Sequence, residues 1–257
     1  MEKVNILWTG GWDSTYRILQ LANKPVTIQP YYLIRNKRKS RDFELKAIDI
    51  ITKEIRKHPE TRCTILDLVL LKVTDIIKDQ SVTDAYNNIL TTDFFGSQYD
   101  WLARFATMVK GLELTIHQDD KAFSIIKKHG DLTKKRNELI GDYFVLDRDA
   151  STDSLVKVFG NYHFPILNAN KLEMKRWAEE MNYIDIMNKT WFCHSPKNNE
   201  PCGVCNPCVY TIEEGLKYRF SKRALQRYRL NQSLRPIKDT VFYKGARKIY
   251  NAIFLSK

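Results

Sequence analysis

A doubly wound α/β fold, built on a mostly parallel five-stranded sheet with a cysteine-bearing element and a helical tail behind it, is predicted by three observations. Short apolar runs of strand length alternate with segments of helical periodicity for most of the chain. The first run passes straight into a turn, Thr9-Gly10-Gly11-Trp12-Asp13-Ser14-Thr15, that opens a helix. Four cysteines, Cys193, Cys202, Cys205 and Cys208, gather at the end of the alternating region.

The elements follow in order. Val4-Asn5-Ile6-Leu7-Trp8 suits a strand buried on both faces. Residues 14–23 read as helix, with Tyr16, Ile18, Leu19 and Leu21 apolar, and residues 26–34 as a second strand rich in β-branched and aromatic side chains. A basic loop, 35–41, leads to Asp42 as N-cap of a helix whose Phe43, Leu45, Ile48, Ile51 and Ile55 keep helical spacing to about residue 57. A third strand is predicted over 63–71, with Cys63 a core residue. Helices follow at 84–90 and 99–109, and a fourth strand at 112–117. Residues 121–129 read as helix, whereas 130–163 carry no decisive pattern. A fifth strand is predicted at 164–167 and a helix at 170–181. No repeat or low-complexity stretch interrupts this order.

The 257 residues can bury one sizeable core. No run of eighteen apolar residues is present, so no membrane span is expected. With no basic-then-apolar leader at residue 1, a cytoplasmic setting with reduced thiols is expected. The formal charge of +12 is unevenly spread: residues 217–257 hold twelve Lys or Arg against Asp239 alone, and the first 216 residues are nearly balanced. Three segments are therefore predicted: an α/β domain at 1–190, a metal element at 191–216, and a basic, helical extension at 217–257.

The turn at residues 9–15 has the makings of an anion site. A loop between a buried strand and a helix presents backbone N–H groups and the positive end of the helix dipole. Gly10 and Gly11 let the backbone come close, and Thr9, Ser14 and Thr15 add hydroxyls. Asp13 would repel bare phosphate, which fits a role in holding Mg²⁺ or in orienting the turn. The spacing matches neither the G-x-x-x-x-G-K-[ST] loop nor the dinucleotide G-x-G-x-x-G.

The cysteines fall as Cys193-x8-Cys202-x2-Cys205-x2-Cys208. Paired thiolates at C-x2-C spacing suit tetrahedral Zn²⁺, and four sulfurs leave no open position, so the expected site is structural.

Thr-Gly-Gly-Trp-Asp-Ser-Thr resembles the Ser-Gly-Gly-x-Asp-Ser-Thr signature of the PP-loop ATP pyrophosphatases, with threonine in place of the first serine. The resemblance implies ATP with Mg²⁺ bound at Thr9, Gly10, Gly11, Asp13, Ser14 and Thr15, and adenylation of a substrate with release of pyrophosphate. Within that group, the cysteine element is similar to that of the 7-cyano-7-deazaguanine synthases. Pro165-Ile-Leu-Asn-Ala-Asn-Lys171 also resembles their Pro-Leu-x-x-x-x-Lys. This implies a phosphate-contacting Lys171, catalysis centred on Asp13 and Lys171, and 7-carboxy-7-deazaguanine as the carboxylate activated. Ammonia would then give the amide and, after a second adenylation, the nitrile.

Their Gly-Val-Cys-Glu-Thr-Asp aligns with Thr115-Ile-His-Gln-Asp-Asp120, so Asp120 and a neutral Gln118 are the implied substrate contacts. Other family motifs are replaced, by Phe95-Gly-Ser-Gln98 and by Ile34-Arg-Asn-Lys-Arg38. A sibling enzyme is therefore expected. Transfer of the activated deazaguanine to a protein amine, a tRNA-modifying PP-loop activity, and a non-catalytic zinc-bearing scaffold stand as alternatives. In the tail, Lys217, Arg219, Lys222, Arg223, Arg227 and Arg229 interleave with Tyr218, Phe220 and Tyr228. That pattern fits either a helix packed on the body or a surface for an acidic protein or nucleic acid. A second helical face, Phe242, Ala246, Ile249, Tyr250 and Ile253, is expected further on.

Overall fold

The computed structural model describes residues 2–36 and 38–234, which form two compact units divided after Trp191. The expected helical face around Phe242 lies outside the described residues.

The first unit opens with β1 (Glu2–Leu7), α1 (Trp12–Ala22), β2 (Val26–Ile34) and α2 (Arg41–Lys57). Next come β3 (Thr64–Ile65), β4 (Val69–Lys72), α3 (Gln80–Leu90), α4 (Gln98–Met108), β5 (Leu112–Glu113) and α5 (Lys121–His129). A hairpin of β6 (Asp131–Lys135) and β7 (Tyr143–Asp147) precedes α6 (Asp153–Phe159), β8 (Tyr162–His163), α7 (Lys171–Glu180) and α8 (Ile184–Met187). The main sheet runs β3-β2-β1-β5-β8, with β4 also on β2, and every pairing in it is parallel.

The central strands β1, β2 and β5 bury side chains on both faces, so two helical layers are needed. Leu7, Leu33, Leu112 and Tyr162 join one apolar cluster with residues of α3, α4, α5 and α6. No residue of α1, α2, α7 or α8 belongs to that cluster; these four pack among themselves. Arg17 and Glu113 tie α1 to β5 by a buried bidentate pair, at 2.8 and 2.7 Å. No described helix is long and apolar enough to cross a membrane.

Four elements differ from the sequence reading. The strand predicted over 63–71 is two strands, because Pro30 sits in the middle of β2 and has no N–H to give to a ladder. Ile28 pairs with Ile65 and Tyr31 with Val69, leaving three residues opposite two, a bulge. Gln29 Nε2 caps the Asp67 carbonyl there at 3.0 Å. The five strand positions thus hold six strands.

The fourth strand pairs only over Leu112–Glu113. The fifth is Tyr162–His163, two residues before the predicted run; Phe164 turns away to bridge Phe144 on the hairpin, with N–H to O=C distances of 2.8 and 3.0 Å. Ile166 and Leu167 are buried in a turn, since an apolar run alone does not distinguish strand from buried loop. The N-cap of α2 is Ser40, and Asp42 lies in the first turn. Cys63 is half-buried just before β3.

The second unit holds the four cysteines, α9 (Asn206–Thr211), a π-helical segment Ile212–Leu216, a 3-10 turn Lys217–Arg219, and α10 (Lys222–Ser233). Phe220 packs on Phe192 at 5.2 Å, and the Arg219 guanidinium lies 4.7 Å from the Phe192 ring centre.

Candidate functional site

The chain leaves β1 toward β2 on one side and returns to β5 on the other, so the sheet order reverses between β1 and β5. In open parallel sheets the crevice past the carboxyl ends of two such strands is where ligands sit. The loops at that point are residues 8–11, after β1, and 114–120, after β5.

The first loop is shaped by Gly10. Its φ is +69°, and an added Cβ would sit 2.9 Å from the Glu44 carbonyl oxygen. The Gly10 carbonyl accepts from the Trp191 N–H at 2.8 Å. Below the turn, the buried Trp8 indole N–H donates to Thr15 Oγ1 at 3.0 Å. Thr15 is fully buried, so its hydroxyl supports the turn from the core side, while Thr9 is exposed at the turn's outer edge. Ser14 is also buried, with Oγ 3.5 Å from the Gly11 carbonyl.

Helix α1 starts at Trp12 with Gly11 as N-cap and no side-chain cap. The first-turn amides of a helix have no partner within it, so here the donors and the dipole face the crevice.

Lys171 reaches the same place from α7. Asn170 caps that helix, accepting from the Leu172 and Glu173 amides at 3.0 and 2.9 Å, while Glu173 accepts from the Asn170 N–H at 2.9 Å. This capping box fixes the first residue, Lys171, whose ammonium is bound to the Asp13 carboxylate. Tyr16 of α1 meets Trp177 of α7 edge to face at 5.0 Å, holding the two helices side by side.

Asp120 comes from the second loop. Its carboxylate accepts from the His117 backbone N–H at 3.0 Å and lies 3.8 Å from His117 Nε2. Burial raises the Asp120 carboxyl above its ordinary range, although 38 % of the side chain's surface reaches solvent. His117 opposes that shift, Asp13 adds to it, and Lys171 opposes it. Those influences show that Asp13, Lys171 and Asp120 share one electrostatic neighbourhood.

Of the predicted residues, Thr9, Gly10, Gly11, Asp13 and Ser14 lie at the start of α1 with Lys171 bound to Asp13 and Asp120 on the neighbouring loop, whereas the predicted Thr15 lies in the core beneath them. Gln118 is exposed and has no described hydrogen bond.

Two contributors were not legible in the sequence. His117 is 5 % exposed, with Nδ1 accepting from the Asp119 N–H at 3.3 Å and Nε2 on the side of Asp120. Its place at the end of the predicted strand 112–117, just before two aspartates, was the available signal. Glu44 is 2 % exposed beneath Gly10 and accepts from Tyr32 Oη at 2.6 Å, Ser40 Oγ at 2.8 Å and Arg38 at 2.7 and 3.1 Å. Nothing in the local pattern separates it from the other acids of an amphipathic helix.

In the second unit the four cysteine sulfurs lie within 4.8 Å of one another, able to hold a metal. Cys202 and Cys208 sulfurs are 3.9 Å apart, as are those of Cys193 and Cys205. A tetrahedral ion with bonds of about 2.3 Å places its sulfurs about 3.8 Å apart. The Cys202 N–H points at Cys193 Sγ, and the Val204 and Cys205 N–H groups at Cys202 Sγ, at 3.2–3.4 Å. Arg227 of α10 clamps the loop, donating to the Cys202 carbonyl at 2.7 Å, the Pro201 carbonyl at 3.1 Å and Glu200 at 2.8 Å. A Cβ on Gly203 would fall 2.2 Å from the Ala224 carbonyl oxygen, so glycine is what lets α10 lie against the cysteine loop.

No protein-family profile and no curated protein matches the chain. Among solved structures it is similar to the U34-tRNA thiolase NcsA from Methanococcus maripaludis with its [4Fe-4S] cluster, at 12 % identity and a TM-score of 0.44, over 91 % of this chain and 72 % of that one. A likeness of that size assigns no residue a role.

Proposed function

We propose that the chain binds ATP at the turn between β1 and α1, cleaves it between the α- and β-phosphates, and transfers the adenylyl group to a carbonyl or carboxyl oxygen of a nucleobase-type substrate. The observation that carries this reading is the uncapped N-terminus of α1 at the reversal of strand order, with Lys171 and Asp13 beside it.

The chemistry follows from charge. The attacking oxygen bonds to the α-phosphorus and pyrophosphate departs, so negative charge grows on the phosphates. The amides of the α1 first turn and the Lys171 ammonium are donors fixed before that charge develops. A triphosphate draws Lys171 from Asp13, freeing a hard carboxylate of the kind that holds Mg²⁺. Mg²⁺ there would neutralise the leaving pyrophosphate. Asp120, on the loop after β5, would receive a proton from a nucleophile that then displaces AMP.

Two acceptors fit. The first is a base within an RNA, supported by the concentration of positive charge beyond residue 216. The second is free 7-carboxy-7-deazaguanine, with ammonia or a protein amine as nucleophile, supported by the sequence likeness at the turn, at Lys171 and at the cysteines. The exposed, neutral Gln118 weighs against the second, because the acid that would accept a guanine-like edge is missing. For the cysteines we infer one structural Zn²⁺, as the sulfur spacing suits a single ion.

The test is the product. With α-labelled ATP and Mg²⁺, the expected outcome is AMP with pyrophosphate, and exchange of labelled pyrophosphate into ATP when an acceptor is supplied. Formation of ADP overturns the reading; no uptake of ATP by calorimetry overturns it too and leaves a non-catalytic scaffold.

A further inference from the structure

From residue 192 onward the chain holds thirteen Lys or Arg against four acids. Among the described residues the cations are of two kinds. Arg219 lies over Phe192, and Arg227 grips the cysteine loop and Glu200, so both are internal fittings of the unit. Lys217, Lys222, Arg223 and Arg229 are exposed, and none of the four has an ion pair among the described residues.

Their placement on α10 is ordered. Lys222, Gln226, Arg229 and Ser233 recur at spacings of four, three and four, one stripe of a helix, and all are exposed. Arg223 adjoins that stripe, on the side of Leu230, which is 65 % exposed. The opposite side carries Ala224 and Arg227, turned toward the cysteine loop.

Lys222 and Arg223 also occupy the first turn of α10, and no acid does. Cations at the positive end of a helix dipole oppose the helix. Their position is thus unfavourable to α10 itself and favourable to an anion bound there. Glu200 feels Arg223, but its carboxylate is taken by Arg227.

Two tyrosines of the same unit present their rings to solvent, Tyr210 at 57 % and Tyr218 at 49 % exposure. Exposed rings among cations suit unpaired bases, which stack on them while the cations follow the phosphates. A bilayer surface would call for a continuous apolar side, and among the described residues the α10 stripe has only Leu230 and Leu234 beside it.

We propose that the exposed side of α10, with Lys217 and Tyr218 just before it, binds the phosphate backbone of RNA at a loop or single-stranded segment. The choice of RNA rests on the base-in-RNA reading above; the surface itself does not depend on the ATP site.

The experiment is fluorescence anisotropy with a labelled RNA stem-loop and the full chain, without ATP, across a salt series. The triple variant Lys222→Ala, Arg223→Ala, Arg229→Ala is expected to bind at least about tenfold more weakly. The slope of log affinity against log salt should drop by roughly two to three units, near one per lost phosphate contact. Tyr218→Ala should weaken the stem-loop but not a fully duplexed RNA. A charge-matched control on the first unit, Lys46→Ala, Lys53→Ala, Lys127→Ala, should change affinity less than about twofold.

Equal loss in the control, no loss in the triple variant, or equal affinity for duplex DNA or polyglutamate overturns the proposal. So does failure of the full chain to bind the stem-loop. Because binding is read without nucleotide, failure here leaves pyrophosphate release intact, and the converse also holds.

Discussion

The Lys171 ammonium and the Asp13 carboxylate are bound to each other across the N-terminal ends of α7 and α1, 158 residues apart in sequence. Each is only partly exposed, at 12 % and 26 % of the side chain. A helix start without a side-chain cap, a lysine and a carboxylate are thereby assembled in one place.

Replacing that lysine tests the arrangement. Lys171→Ala should lower pyrophosphate release by roughly 10²–10³-fold, the usual effect of removing one donor to a developing charge. Asp13→Ala should reduce the Mg²⁺ dependence of ATP binding. Both are read from coupled pyrophosphate assays and calorimetry. Unchanged rates in Lys171→Ala would remove it from the catalytic group.

Gly10→Ala should damage both stability and nucleotide binding. Its left-handed φ and the nearby Glu44 carbonyl together cost roughly 1–3 kcal/mol. Urea unfolding midpoints would show the loss. Gly141→Ala is the control for φ alone, since its φ is +82° and nothing lies within 4 Å of an added Cβ. The difference between the two variants reports the crowding under the turn.

Arg17 and Glu113, at 3 % and 1 % exposure, form a pair whose separation should be costly. Arg17 also donates to the Ile140 carbonyl at 2.9 Å. Glu113→Gln leaves a buried guanidinium uncompensated, and about 3–5 kcal/mol of stability should be lost. The double change Arg17→Met, Glu113→Leu should recover most of it, because no buried charge then remains. Additive losses in the double variant would contradict this account.

The Asp120 carboxyl should leave a signature in pH dependence. Burial raises it above the ordinary value of about 3.8, so the folded state binds that proton more tightly than the unfolded chain. Its contribution therefore favours folding at low pH and is lost as pH rises through the raised folded value. Asp120→Asn should be increasingly more stable than the wild-type chain from about pH 4 upward, then hold a constant difference. A gap that shrinks as pH rises would mean that His117 and Lys171 outweigh burial.

Metal analysis should return about one zinc per chain, with no visible absorption of an iron–sulfur cluster. Cys202→Ser should lose the ion, and α10 should come free of the cysteine loop, since Arg227 grips that loop and Ala224 lies against its Gly203. Faster amide exchange across α10 after chelation would register this.

Much of the site was readable because it is local. Residues 9–15 carry their own turn chemistry, the cysteines their own spacing, and α7 its own capping box, Asn170 with Glu173. The break in the third strand was also written, in Pro30, but its effect falls on the partner strand 35 residues later and is invisible to a periodicity count. The tail illustrates the opposite limit. Interleaved cations and rings suggested one stripe, yet Phe220 is buried and Arg227 faces inward.

By itself the sequence determined the α/β alternation, the glycine turn and the thiolate cluster, because each is set by neighbours a few residues apart. Only the tertiary structure decided that the strand order reverses beside that turn. The same holds for Lys171 and Asp120 meeting Asp13 there, for His117 facing Asp120, and for the cations of α10 left to solvent. Those are contacts between residues far apart in the chain, fixed by which helix covers which side of the sheet, and no local pattern records that choice.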